Sequence, residues 1–388
     1  MDRLAGTENN RVAVAMSGGV DSSVAALLLA RQGFEVVGFT AKLLDGEEGG
    51  KCCSLDAAYR ARRSCGMLGV EHVTVNLEEE FRARVIQTFV DEYRAGRTPN
   101  PCVDCNRFIK FDRFLKVADW LGCRFLATGH YARIGLRPRE TFAPVDKRVG
   151  DTMRSGRERV ANLLQLLRGA DREKDQSYFV AVIAREQMER VMFPCGDITK
   201  QEARVLAAEA GLPTVEARES QDACFLTAER DVEYWVERLT GEPPKRGEIV
   251  GLNGEKLGEH AGIERFTRGQ RRGLGVGGGP PLYVVDLEPE NGRVVAGEAG
   301  SRPISHITLA HVNILAEGYT RGNREVMVRT RYRQQEKRAV LEELEEGGLR
   351  VRFASPQEFI SPGQWCVFYD RELVVGCGMI DRIGWAAG

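Results

Sequence analysis

Two sets of residues have the types and spacing for chemistry. The first is Ser17-Gly18-Gly19-Val20-Asp21-Ser22, where small residues meet a hydroxyl and a carboxylate at a turn. Glycines let the backbone approach phosphate oxygens, and the free N–H groups and dipole of a following helix hold the negative charge. Ser17 adds a hydroxyl donor, and Asp21 is suited to hold Mg2+ on the phosphates. No Gly-Lys-Ser/Thr follows, so this is not a Walker A loop. The second set is Cys102 and Cys105 in Arg97-Thr-Pro-Asn-Pro-Cys-Val-Asp-Cys-Asn106, with Cys224 in Glu219-Ser-Gln-Asp-Ala-Cys-Phe. A lone C-x-x-C leaves zinc, a redox pair, an iron–sulfur cluster and chance open. Zinc is disfavoured because no second C-x-x-C or H-x3-H supplies the remaining ligands. Two prolines argue against helix or central strand over 97–106, which predicts a rigid loop, and a loop also disfavours the thioredoxin arrangement. Cys65, Cys123, Cys195, Cys366 and Cys377 lie in or near apolar elements and are expected to be buried. Cys52 and Cys53 adjoin a Gly- and charge-rich loop over 45–54 and read equally as exposed thiols or metal ligands.

The elements that position these residues alternate in type. Val12–Met16 reads as a strand, and the stretch from Asp21 to Ala30 as a helix that Gly33 ends. Strands are expected over 34–40, 72–77 and 124–128, and helices over 55–67, 78–93 and 109–122. Such alternation predicts an α/β fold with a doubly wound parallel sheet. Ligands of such sheets bind at the carboxyl ends of the strands, where Ser17, the residues after Thr40 and Thr128-Gly129-His130 all fall. His130 fits equally a site residue and a buried structural histidine. The 133–160 stretch is polar, with eight Lys/Arg against four Asp/Glu, and reads as a solvated loop or an RNA contact. A strand over 163–167 and helices over 184–191 and 200–210 follow. A break is expected at 241–246. Beyond it, short Gly-rich strands lead into a small antiparallel β-barrel. Residues 273–278 match G-x-G-x-x-G, but Pro280 and Pro281 prevent a helix there, so a loop is expected.

With 388 residues the chain has room for two or three domains, and a net charge of −1 leaves any nucleic-acid contact to local basic patches. No 18-residue apolar stretch and no apolar leader core are present, so neither membrane span nor export is expected, and a cytoplasmic location follows. Ten cysteines in such a chain read as thiols or metal ligands rather than a disulfide framework.

The Ser17–Ser22 segment resembles the pyrophosphate loop of the N-type ATP pyrophosphatases. Further motifs follow in order: Thr98-Pro-Asn-Pro with Cys105-Asn106, Ala127-Thr-Gly-His-Tyr131, Lys174-Asp-Gln-Ser-Tyr178, Glu219–Phe225, Thr267–Leu274, Thr330-Arg-Tyr-Arg333 and Ser361-Pro-Gly-Gln364. Together they resemble the tRNA-specific 2-thiouridylases from end to end. The resemblance implies a pyrophosphatase domain (1–227), a small middle domain (228–302) and a C-terminal barrel (303–388). It implies ATP-dependent thiolation of the wobble uridine of tRNA, with ATP and Mg2+ as cofactors and a cysteine desulfurase, a sulfur-relay protein or inorganic sulfide as donor. Ala15, Met16, Ser17, Gly18, Gly19, Val20, Asp21 and Ser22 would hold ATP, with Ala41 and Gly129 near the adenosine. Asn100, Pro101 and Cys102 would face the target base, and Lys174, Asp175, Gln176, Arg331 and Tyr332 would touch tRNA. Cys105 would be the nucleophile and Cys224 the persulfide carrier. The chain departs from the family pattern at Cys102, where many members have Asp, at Ala41 for Met and at Arg268 for Ile. The extra cysteine opens a second route, in which Cys102, Cys105 and Cys224 hold a [4Fe-4S] cluster whose free iron binds hydrosulfide. Two other readings use fewer of these residues: an amide-forming ATP pyrophosphatase and a non-catalytic RNA-binding barrel.

Overall fold

The computed structural model describes residues 9–44, 55–136, 164–215, 223–277, 279–320, 323–345 and 347–386. The readings of the N-terminal leader, of the 45–54 loop with Cys52 and Cys53, of the basic stretch from 137 to 160, and of Glu219–Asp222 lie outside the described residues. The chain divides into two compact units.

The first unit comprises 1–78, 106–221 and 371–375. Its centre is a parallel sheet of β1 (Arg11–Ala15), β2 (Glu35–Lys42), β3 (Glu71–Asn76), β4 (Phe125–Ala127) and, after two further strands, β7 (Val191–Met192). The order is β3-β2-β1-β4-β7, with Ala13 opposite Val37 on one side and Leu126 on the other. Helix α1 (Val20–Arg31) carries Val24, Ala25, Ala26, Leu27 and Leu29, all buried, because small and aliphatic residues cover almost its whole circumference. Each larger apolar side chain so buried contributes roughly 1.5–3 kcal/mol. Gly33, at φ 82°, takes the left-handed conformation that ends the helix, as expected. Helix α2 (Leu55–Met67) covers the same sheet, and Gly38 of β2 leaves the space that the Cys65 thiol fills. β5 (Ala132–Leu136) and β6 (Leu164–Arg168) form an antiparallel pair, so residues 133–136 are strand rather than the start of a solvated loop.

The second unit comprises 79–105, 222–370 and 376–388. The helix formed by Glu78–Phe81, Arg82–Ile86 and Gln87–Arg94 places Phe81 and Phe89 against Phe225, which also packs on Trp235. A four-stranded sheet follows, β8 (Gly247–Val250), β9 (Lys256–His260), β10 (Tyr283–Glu288) and β11 (Arg293–Gly297), in the order β10-β11-β8-β9. Residues 273–277 have no regular structure, as Pro280 and Pro281 dictate. The C-terminal strands are β12 (Ile304–Ile314), β13 (Glu325–Arg329), β14 (Lys337–Glu343), β15 (Leu349–Gln357), β16 (Trp365–Asp370) and β17 (Leu373–Trp385). They run in the order β12-β15-β14-β13-β16-β17, and β17 pairs back on β12 to close a six-stranded barrel.

One local expectation is corrected. Residues 101–106 are helical, not loop: Pro101–Asp104, Cys105–Arg113 and Phe114–Trp120 follow without a break. Pro101 is the first helical residue, where the missing N–H costs nothing, and the Asn100 side chain caps the end by accepting from Val103 N at 3.3 Å. The helix thus begins eight residues before Ile109, with the C-x-x-C in its first turns. The premise that set the thioredoxin arrangement aside does not hold.

Candidate active site

The first unit gathers the nucleotide-type residues. Order β3-β2-β1-β4-β7 reverses between β1 and β4, and the carboxyl ends at such a reversal are where doubly wound sheets bind ligands. Ser17–Gly19 leaves β1 there, and Thr128-Gly129-His130 leaves β4. Gly18 sits at φ 70°, and a Cβ on it would lie 2.1 Å from the Ala57 carbonyl oxygen. Ser22 Oγ donates to the Gly19 carbonyl at 3.1 Å and accepts from Ser17 N at 3.2 Å, which fixes the turn. A Cβ on Gly129 would come within 2.6 Å of the Asp21 backbone, so the two strand ends meet only because residue 129 is glycine. Ala41 stands near the end of β2 opposite Val75.

Asp21 is the hub. Both its carboxylate oxygens accept from Lys200 Nζ, at 2.7 and 2.8 Å, and Tyr131 Oη donates to Oδ1 at 2.8 Å. Lys200 is only 7% exposed. Cys195 is fully buried with its Sγ 3.3 Å from the Asp21 carbonyl oxygen, and burial together with the Asp21 charge pushes the Cys195 thiol and the Tyr131 phenol well up, so both keep their protons. Asp21 is therefore an ion-paired residue. Reading the sequence missed Lys200. The available signal was a lysine directly after the Thr199 cap of Lys200–Glu209, an end of a helix where a cation is disfavoured unless something pairs with it.

His130 takes its structural alternative. It is buried between the rings of Phe111 and Phe193, with Lys110 Nζ 3.2 Å from Nε2 and Thr128 Oγ1 2.7 Å from Nδ1. An ammonium only donates, so Nε2 accepts and Nδ1 carries the proton. Desolvation first, then Lys110, lowers its pKa well below the usual imidazole value.

Asp175 is 3% exposed, with Oδ1 accepting from Gly169 N and Ser177 N and Oδ2 from Ser177 Oγ, each at 3.0 Å. Gln176 Oε1 accepts from Tyr131 N at 3.0 Å. These two hold the Lys174–Ser177 segment and the Asp21 partner Tyr131 from inside, while Lys174 is half-exposed.

The second unit gathers the thiols and the barrel motifs. Among the eight described cysteines, Cys102, Cys105 and Cys224 are half-buried, whereas Cys65, Cys123, Cys195, Cys366 and Cys377 are buried. Cys224 is positioned by its neighbour: Phe225 packs among Phe81, Phe89 and Trp235, and Trp235 Nε1 donates to its carbonyl at 3.2 Å. The approach to the cysteine helix is gripped by the barrel. Thr98 N donates to the Pro362 carbonyl at 2.8 Å, and Gln364 Nε2 donates to the Thr98 and Pro99 carbonyls at 2.9 and 3.2 Å. Arg331 Nη2 donates to the carbonyls of Arg268 and Phe359 and to Ser361 Oγ, at 2.8, 3.0 and 3.1 Å, with Tyr332 half-buried beside it. Motifs far apart in sequence, at 98–101, 267–268, 330–332 and 361–364, thus converge. Among the described residues no three His, Cys, Asp or Glu side chains gather at distances that hold a metal ion.

Comparison with known proteins divides the sequence into three parts, the first of which holds both the Ser17–Ser22 loop and Cys102, Cys105 and Cys224. A family model described as "tRNA methyl transferase HUP domain" matches residues 10–228, a PRC-barrel domain of the same name matches 238–298, and an "aminomethyltransferase beta-barrel domain" matches 304–380. A tRNA-specific 2-thiouridylase of Caldanaerobacter subterraneus subsp. tengcongensis is 40% identical over 382 residues, covering 96% of this chain and 98% of its own. One from Magnetococcus marinus is 41% identical over 379 residues, covering 96% and 99%. The chain belongs to the tRNA-specific 2-thiouridylase family. Members of that family are tRNA sulfurtransferases. Among solved structures, a U34-tRNA thiolase from Methanococcus maripaludis covers 61% of this chain and 70% of its own at 20% identity and a TM-score of 0.34. No helix among the described residues is long and apolar enough to cross a membrane.

Proposed function

We propose that the chain exchanges the C2 oxygen of the tRNA wobble uridine for sulfur at the expense of ATP. The observation that carries the reading is the phosphate loop, with Gly18 in a conformation and a space that only glycine fills, at the reversal point of a parallel sheet. The half-buried thiols on and near a helix start supply the use for an adenylate. The domain limits 1–227, 228–302 and 303–388 serve in it as adenylation, middle and tRNA-gripping parts.

In this mechanism the C2 oxygen attacks the α-phosphorus of ATP, whose bond to the β-phosphate oxygen breaks with its electron pair on pyrophosphate. The Ser17–Ser22 backbone and hydroxyls hold the departing charge, with Ala15, Met16, Ala41 and Gly129 around the rest of the nucleotide. Mg2+ accompanies the phosphates as counter-ion, and no protein ligand is assigned to it. The target base leaves the anticodon stack and rests against Asn100, Pro101 and Cys102. Cys224 carries a persulfide loaded by the sulfur donor. Its terminal sulfur bonds to C2 while the Cys105 thiolate attacks Cys224 Sγ; the S–S bond breaks toward the new C–S bond and AMP departs. A Cys105–Cys224 disulfide remains, which an external thiol must reduce. Lys174, Arg331 and Tyr332 face tRNA, with Asp175 and Gln176 holding the first of them in place.

The test is mass spectrometry of anticodon nucleosides from tRNA incubated with the protein, ATP, a persulfide-level sulfur donor to load Cys224 and a thiol to reduce the final disulfide, with sulfide as donor in a parallel arm. One oxygen-to-sulfur exchange at uridine is expected, and its absence ends the proposal. Cys105→Ala and Cys224→Ala are expected to be inactive, and Cys102→Ala to keep most activity. Iron in the anaerobically reconstituted protein, lost together with activity in Cys102→Ala, overturns the disulfide route in favour of the cluster.

A further inference from the structure

Helix α2 lies along the phosphate loop through one face. A Cβ on Gly18 would meet the Ala57 carbonyl, Arg60 Nε donates to the Gly18 carbonyl at 3.1 Å, and Ser64 shares a 3.3 Å hydrogen bond with Ser23 of α1. Positions 57, 60 and 64 are spaced to share a helix face. Ser64 Oγ also donates to the Arg60 carbonyl at 2.9 Å, tying that turn down. The Arg60 side chain is half-buried, is anchored by Nε, and has no carboxylate partner among the described residues, which leaves its two terminal amino groups. Lys200, the cation nearest the loop's carboxylate, already has its charge matched by both oxygens of Asp21, and Lys110 is turned to the buried His130 ring. Helix α1 offers an anion only partial charges, and ATP brings several full ones.

We propose that Arg60 is a phosphate-contacting residue of the nucleotide site, whose terminal amino groups hold the β- and γ-phosphates of ATP and then the departing pyrophosphate. The assignment rests on the functional reading above. Guanidinium suits the role because its planar fork pairs with phosphate oxygens without losing its proton. The negative charge that builds on the β-phosphate oxygen as its bond to the α-phosphorus breaks falls beside a fixed positive one. Anchoring through Nε to the loop's own carbonyl fixes that charge before the nucleotide arrives.

The test is calorimetric titration of the full chain with ATP, pyrophosphate and AMP, for wild type, Arg60→Ala and Arg60→Lys. In Arg60→Ala the affinity for ATP and for pyrophosphate is expected to fall about tenfold, the loss of one charged contact, while AMP binding is unchanged. Arg60→Lys regains part of the loss. Equal losses for ATP and AMP show that Arg60 only shapes the loop, and an unchanged ATP affinity removes it from the site; either overturns the proposal. A wild-type protein that binds no ATP removes the functional reading and this inference with it, whereas wild-type binding with an unaffected Arg60→Ala removes this inference alone.

Discussion

Gly18 has the least room of any residue in the phosphate loop, since a methyl group there would run into the carbonyl of Ala57 at 2.1 Å and sit at φ 70°. Gly18→Ala is therefore expected to cost about 2 kcal/mol or more and to abolish ATP–pyrophosphate exchange. Denaturant unfolding and an exchange assay check the two effects, and wild-type exchange in that variant contradicts the loop reading. Asp21→Ala leaves the buried Lys200 ammonium without its carboxylate. Losing one partner of a buried pair costs about 3–5 kcal/mol, and the one-third exposure of Asp21 lowers the expectation to about 2 kcal/mol through solvent screening. Urea unfolding measures it, and the double change Asp21→Asn with Lys200→Met is expected to recover part of the loss. His130 links the first unit to pH. Its pKa lies well below the usual value near 6.5, so as pH falls through that value the unfolded chain takes up a proton that the folded one refuses. Stability from this group is complete above about pH 6.5 and declines toward lower pH. His72 and His306 are shifted in the same direction, so the informative quantity is the difference between wild type and His130→Asn. The variant's unfolding midpoint is expected to fall less steeply between pH 6.5 and 5, and parallel curves contradict the assignment.

At the scale of elements, the helix that opens at Pro101 explains why a C-x-x-C can sit between two prolines and an asparagine. The proline occupies the one helical position that needs no N–H, and Asn100 supplies the cap. Arg331 shows how a residue expected at the tRNA surface also joins elements. Its Nη2 ties the 268, 359 and 361 positions together, so Arg331→Ala removes three hydrogen bonds at once. A loss of about 2–3 kcal/mol in unfolding free energy is expected from charged hydrogen bonds of this kind. If the remaining guanidinium nitrogens meet a phosphate, the logarithmic salt slope of tRNA binding also falls by about one unit. A destabilised variant with an unchanged slope makes Arg331 a strut and nothing more.

For the molecule as a whole, a net charge of −1 means that overall electrostatics do not draw it to RNA. Binding has to come from local groups, and its salt dependence counts them. With about four phosphates contacted, affinity for tRNA is expected to drop roughly a hundredfold between 50 and 200 mM salt. Filter binding at the two concentrations checks this, and a flat response removes the basic-patch mode of recognition.

Much of this protein was legible in its sequence. Strand–helix alternation gave the parallel sheet, and the residue types at 17–22 marked the tight turn after β1, because a conformation with positive φ and close backbone approach accepts so few side chains. Polar surroundings separated Cys102, Cys105 and Cys224 from the five cysteines that the fold buries. Each of these is a local property, set by neighbours in sequence. What the sequence could not yield is the identity of partners. The pairing of Asp21 with Lys200 spans 179 positions and that of Arg331 with Arg268 spans 63. Nothing in either residue's neighbourhood marks the other, so the ion pair of Asp21 with Lys200 is not readable from the sequence. The helix at Pro101 was misjudged for a related reason: a proline's effect depends on whether it falls at the first turn or the interior, and only the folded chain fixes where the turn begins. Chain-local chemistry determined what these residues are able to do, and tertiary packing decided which of them meet, since a contact's energy is gained only when distant segments are brought to hydrogen-bond range.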